Sequence, residues 1–171
     1  VLITENQTLF ALWTARFDTP YKVLHWQQNI GGDKNQHNSD NYTLIDTQIL
    51  SGTTNEKVSP GVNEYEGFTS PSVEQLTIKN DGSAVLNYYY TRNVYNVIVN
   101  KTVGVDTTTG SGTYAYGADV TIGYTILPGY SFVDITGDKS SQSFKMPASN
   151  LVLQINAKAN DSKATVSGTG E

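Results

Sequence analysis

The 171 residues contain two imidazoles, His25 and His37, and neither has a second His or a carboxylate at a ligand-like spacing on an expected strand. General-base or metal chemistry needs several convergent titratable groups. His37 therefore reads as loop polarity, and neither residue is assigned a catalytic or metal role. Asp33 and Asp40, with Asn35 and Asn38 between them, superficially suggest a calcium loop. They lack the Gly and the bidentate Glu of the EF-hand spacing, so a solvated loop is expected there. No Gly-x-Ser-x-Gly elbow, phosphate-cradling loop or His-Glu-x-x-His run occurs. Zero Cys removes thiol nucleophiles, thiolate zinc sites and disulfide scaffolds together. The chain is expected to be non-enzymatic, with no cofactor and no metal.

Two chemistries survive this exclusion. A cysteine-free module can gain strength from an intramolecular Lys to Asn bond, and Lys22, Lys79 and Lys101 sit on or beside expected strands. Such a bond also needs an apolar pocket and an assisting carboxylate, which only tertiary structure reveals. Aromatic side chains are the other candidates. Trp26 and Tyr89 fall on strand faces opposite those expected to be most buried. Exposed planar rings stack on sugar rings or anchor a protein partner, so these two are the ligand-binding candidates. The competing reading places them in the core, because small modules need large side chains to build one. Four Asn-x-Ser/Thr triplets, at Asn6, Asn41, Asn100 and Asn160, are no more than the composition supplies.

The elements that must carry these residues are strands. With 21 Thr, 15 Asn, 15 Gly, 11 Tyr and one Met, strand and turn formers are rich and helix formers poor. Leu9 to Trp13 is apolar on both faces, and Asp18-Thr19-Pro20 then breaks the chain. Tyr21, Val23 and His25 alternate with Lys22, Leu24 and Trp26, as on a half-buried strand. Gly31 to Asp40 has nothing to bury and reads as a long loop, followed by a strand from Tyr42 to Ser51-Gly52. Ser59-Pro60 could open one short helix, with Ser as N-cap and Pro at its first position. Leu76–Ile78 and Ala84–Thr91 flank Asn80-Asp81-Gly82, the signal of a hairpin turn. From Tyr95 the pattern restarts, with a Thr- and Gly-rich loop at Thr107 to Gly112 and strands near Tyr114 to Ile126, Phe132 to Thr136 and Leu151 to Ile155. The net charge of -5 argues against nucleic acid and anionic membrane as partners. No apolar run approaches the roughly 18 residues of a membrane span.

Several motifs resemble known repeat modules. Ile3-Thr4-Glu5 to Leu9-Phe10-Ala11-Leu12-Trp13-Thr14 resembles the closing strand of the Listeria-Bacteroides, or internalin B-, repeat. Tyr21 to Asn29, with Gly52-Thr53-Thr54, Tyr65-Glu66-Gly67-Phe68 and Asp81-Gly82 to Tyr90, resembles a module that follows such repeats in Gram-positive surface proteins. It is also similar to mucin-binding-protein repeats. Gly117-Ala118-Asp119-Val120-Thr121, Pro128-Gly129-Tyr130-Ser131-Phe132 and Phe144-Lys145-Met146-Pro147-Ala148-Ser149-Asn150 look like the divergent internalin B-repeat domain. Where that family carries a Trp after the Gly-Tyr-x-Phe strand, this chain has Asp134-Ile135-Thr136-Gly137.

The resemblance implies a mainly β chain, α+β at most, of two tandem β-grasp-like modules with little helix, immunoglobulin-like β-sandwiches being the alternative. The expected division is 1–20 as the terminal strand of a preceding repeat plus linker, 21–94 as a β-grasp-like module, 95–159 as a divergent internalin B-repeat-like module, and 160–171 as a flexible tail. It implies a segment of a longer bacterial cell-surface protein, extracellular and wall-anchored through regions outside this chain. The expected role is a non-catalytic stalk with an adhesive surface. The alternatives are a host glycan- or glycoprotein-binding module and an accessory module of an extracellular enzyme. Expected partners are neighbouring modules and a host glycan or glycoprotein, with no membrane insertion in this segment. Leu9 to Trp13, parted from its repeat, is expected to pair with the first module's edge or with a neighbouring molecule.

Overall fold

A computed structural model describes residues 14–161. The strand expected at Leu9–Trp13 and nearly all of the expected tail lie outside those residues. Every regular element described is a strand: β1 Thr19–Gln28, β2 Tyr42–Gly52, β3 Lys57–Val58, β4 Phe68–Thr69, β5 Leu76–Thr77, β6 Val85–Arg92, β7 Val94–Lys101, β8 Val105–Thr109, β9 Gly112–Ala115, β10 Asp119–Thr121, β11 Gly123–Ile126, β12 Tyr130–Gly137, β13 Ser143–Lys145 and β14 Leu151–Ala159. The chain is mainly β, as its composition requires. Two four-stranded sheets, β2-β1-β6-β4 and β12-β14-β7-β9, are accompanied by the pairs β3-β5, β8-β11 and β10-β13. Two compact units interleave along the described chain. One contains 14–26, 44–63 and 70–89; the other contains 27–43, 64–69 and 90–161.

In the first unit a period of two decides what is buried. Tyr21, Val23 and His25 of β1 and Leu86 and Tyr88 of β6 enter the core, while the residues between them point outward. The segment 59–65 is irregular, which corrects the helix expected at Ser59-Pro60. A helix would use the Pro60 carbonyl to accept an amide one turn on. Here that carbonyl instead accepts the hydroxyl of buried Tyr88 at 2.6 Å, and the same hydroxyl accepts the Glu74 amide at 3.2 Å. The Asp81-Gly82 turn forms, with Gly82 at φ +73° and its amide on the Lys79 carbonyl. The strands flanking it do not form a hairpin together. The Ile78 amide and carbonyl both bond residues of the 55–56 segment, β5 pairs with β3, and the Ala84 carbonyl accepts the Lys22 amide of β1. The turn thus passes the chain from one sheet to another.

In the second unit, β7 and β14 lie parallel at the centre of their sheet, with Leu151 opposite Val97 and Leu153 opposite Val99. β9 and β12 flank them in antiparallel pairs. Val97, Val99, Val105, Val120, Ile122, Ile135, Met146, Leu151, Leu153 and Ile155 form the buried core. The residues expected as a loop at Thr107–Gly112 are in fact strand up to Thr109, because Thr107–Thr109 pair with Gly123–Thr125 of β11. Only Gly110-Ser111 turns, with Gly110 at φ +97°. Met146 is clamped by its backbone, accepting the Gly117 amide and donating to the Ala118 carbonyl, so the Phe144-Lys145-Met146-Pro147 run delivers one flexible thioether into the core.

Arg92 organises the other end of this unit. Its Nε and Nη1 donate to the Gln28 and Tyr116 carbonyls at 2.8 and 2.9 Å, and its guanidinium lies 4.6 Å from the centre of the Phe68 ring. Partial burial draws its pKa below the ordinary value. The planar fork is what permits two carbonyls and a ring to be engaged at once. Gly67, at φ +76°, closes the arrangement, because a Cβ there would overlap the Tyr116 ring.

Candidate functional site

β1 and β6 are neighbours in their sheet, so the outward residues of both strands share one face. That adjacency brings Trp26 and Tyr89 together from 63 positions apart in the chain. Their rings stack with centroids 6.1 Å apart and planes 23° from parallel. The Trp26 indole N–H donates to the Asn87 side-chain oxygen at 2.9 Å, which locks the indole plane from the same strand that supplies Tyr89. Both rings are half-buried. Burial raises the Tyr89 phenol pKa above its ordinary value. The result is an aromatic platform with a phenol and an amide at its margin. Such a surface can take the C–H face of a sugar ring or a planar group of a protein, and can bond the hydroxyls around it.

A second aromatic pair is not legible from strand faces alone. In the second unit Tyr124 of β11 and Phe132 of β12 stack at 4.6 Å and 15°, lining an open groove of about 540 Å³ with Asp134, Ser140 and Gln142. The register of β12 against β14 shifts between Phe132 and Asp134. A bulge changes which residues share a face, so simple alternation does not place Phe132 beside Tyr124. The nearest signal in the sequence is the apolar pair Phe132-Val133, which breaks strict alternation.

The other candidates are engaged in structure. His25 is fully buried, its ring tilted 42° against Tyr88 at 5.8 Å. His37 lies on the exposed loop, edge-on to Tyr42 at 5.4 Å. The Asp33 carboxylate accepts the Asn35 amide at 2.9 Å and the Asn35 and Gln36 side-chain amides at 3.2 and 3.1 Å, which hold its pKa below the ordinary range. Asn38 uses its side-chain oxygen on the Asp40 and Asn41 amides. The oxygens that suggested a calcium loop therefore shape the loop itself. Lys22, Lys79 and Lys101 are all exposed, and Lys101 donates to the Asp106 carbonyl, so none sits in the apolar pocket that an amide cross-link requires.

Comparison with known proteins bears on the second unit. Residues 95–167 match the family model described as the divergent InlB B-repeat domain. Repeat domains of this family are typically non-catalytic and typically found in surface proteins. No curated protein matches the chain. The matched span contains the parallel β7–β14 pairing and the Met146 clamp.

Proposed function

We propose that this chain is a segment of a Gram-positive-type bacterial cell-surface protein, where it serves as a non-catalytic stalk with an adhesive face. The B-repeat match over 95–167 is the observation that carries the reading. Modules in series hold a distal part away from the cell at low cost in sequence, and an acidic surface keeps them soluble. Shaving intact cells with protease and identifying the released peptides by mass spectrometry tests the location. Release of peptides from 95–159 without lysis is expected, and their recovery only after lysis would reject it.

The Trp26–Tyr89 platform favours a second reading, a module that itself binds a host glycan or mucin-type glycoprotein. Loss of one stacked ring should weaken such binding by about 1–2 kcal/mol, or roughly 5- to 30-fold. The test is binding of the whole chain to a glycan array and to immobilised mucin, beside Trp26→Ala and Tyr89→Ala. A wild-type signal no higher than that of a control surface would leave the stalk role alone.

A further inference from the structure

We propose that β2 is a self-pairing edge: two copies of this chain join antiparallel along β2, about a two-fold axis at Thr47, merging their four-stranded sheets into one. Among the described residues β2 is the end strand of the order β2-β1-β6-β4, and at 11 residues it is the longest strand described. Edge strands are normally kept from pairing by shortness, Pro or Lys. β2 has none of these, and Asp46 is its one charge. Its apolar side chains stand open on both faces of the strand. Leu44 and Leu50 are 42% and 38% exposed on one, and Ile45 and Ile49 are 40% and 69% exposed on the other. A ligand lying on one face of the sheet would cover one set only. A strand added beside β2 flanks both.

The sequence of the strand names the second copy as that added strand. Outward from Thr47 it reads Asp46 and Gln48, Ile45 and Ile49, Leu44 and Leu50. In a two-fold antiparallel pair, residues equidistant from the axis lie opposite one another and share a face. Each Ile then meets an Ile, each Leu meets a Leu, and each Asp46 meets a Gln48 whose amide can donate to it. Apolar cross-strand pairs of this kind are the unit of sheet stabilisation. Other registers lose the match. Moving the axis to Asp46 sets two carboxylates opposite each other and Ile45 against Thr47, while moving it to Gln48 sets Asp46 against Leu50. One register therefore satisfies every position from 44 to 50.

Sedimentation velocity of the whole chain between about 1 and 300 µM should show a concentration-dependent dimer. Two double variants with the same positions changed separate register from folding, each checked by its amide NMR spectrum. Ile45→Lys with Ile49→Lys sets like charges opposite each other twice and should weaken the dimer at least 10-fold, whereas Ile45→Lys with Ile49→Glu sets opposite charges together and should retain it. Because the chain has no Cys, Thr47→Cys places a single thiol on the axis, at the roughly 4.5–5.5 Å Cα separation of a cross-strand pair, within disulfide range. It should oxidise to a covalent dimer, while Gln48→Cys, whose copies lie two residues out of register, should not. A wild-type monomer at 300 µM, a dimer indifferent to the two lysines, or equal cross-linking at both positions would overturn the proposal.

Discussion

Replacing Tyr88 by Phe removes one buried oxygen and leaves the ring, so its effect isolates what holds the irregular segment 59–75. That segment contains a single regular element, the two-residue β4, and Tyr88 reaches it at Pro60 and at Glu74. Pro60 is buried, and its carbonyl would lose the 2.6 Å bond with no solvent to replace it. An orphaned buried acceptor costs about 1–3 kcal/mol. The Glu74 amide belongs to an exposed residue and can turn to water, so only a net hydrogen bond of about 0.5–1 kcal/mol is lost there. The ring contact with His25 at 5.8 Å survives. A destabilisation of about 1.5–4 kcal/mol follows. Urea denaturation should show a midpoint lowered by about 1–4 M at an unchanged slope, for a slope near 1–2 kcal/mol per M. Hydrogen exchange at the Glu74 amide should accelerate in the native state. A loss below about 0.5 kcal/mol, with Glu74 protected as before, would refute the claim that this hydroxyl displaced the helix.

Met146→Ala should destabilise the second unit by about 2–5 kcal/mol, because the thioether is buried among Val, Leu and Ile and its backbone clamp resists collapse of the cavity; thermal unfolding by calorimetry reads this. Gly67 and Gly129 both occupy left-handed backbone, but a Cβ meets the Tyr116 ring at the first and open space at the second. Gly129→Ala should cost about 1 kcal/mol from backbone strain alone, and Gly67→Ala at least about 1 kcal/mol more; equal losses in denaturant titrations would refute the steric argument. The carboxyl pKa of Asp33 is depressed chiefly by the Asn35 amide, and that of Asp81 chiefly by the Ser83 amide. Their folded values lie below the ordinary 3.8, so their contribution is complete above that pH and is lost as pH falls through the folded values. An NMR titration of the Asn35 and Ser83 amides should stay flat from neutrality to about pH 4 and move only beneath it; midpoints at or above 3.8 would contradict this.

Some features were legible because they depend on neighbours two residues apart. The alternation of Tyr21, Val23 and His25 with Lys22, Leu24 and Trp26 set the buried face of β1, and the same rule separated Tyr88 from Tyr89. Composition alone required strands, and Asp81-Gly82 required a turn, since left-handed backbone there suits Gly. Face assignment singled out Trp26 and Tyr89 separately, as outward aromatics on two strands.

What the chain by itself could not decide is which strand lies beside which. The Asp81-Gly82 turn was correct while the hairpin was not, because the backbone of Ile78 bonds 55–56 and that of Ala84 bonds β1. The Ser59-Pro60 helix signal was sound locally, yet lost to a hydroxyl 28 residues away. Trp26 and Tyr89 became one platform only through the β1–β6 pairing, and a bulge hid the partnership of Phe132 with Tyr124. Local sequence determines the period and face of a strand because those follow from the geometry of its own backbone. Partners are decided in the tertiary structure, because every buried amide and carbonyl must find one and the candidates compete across the whole chain.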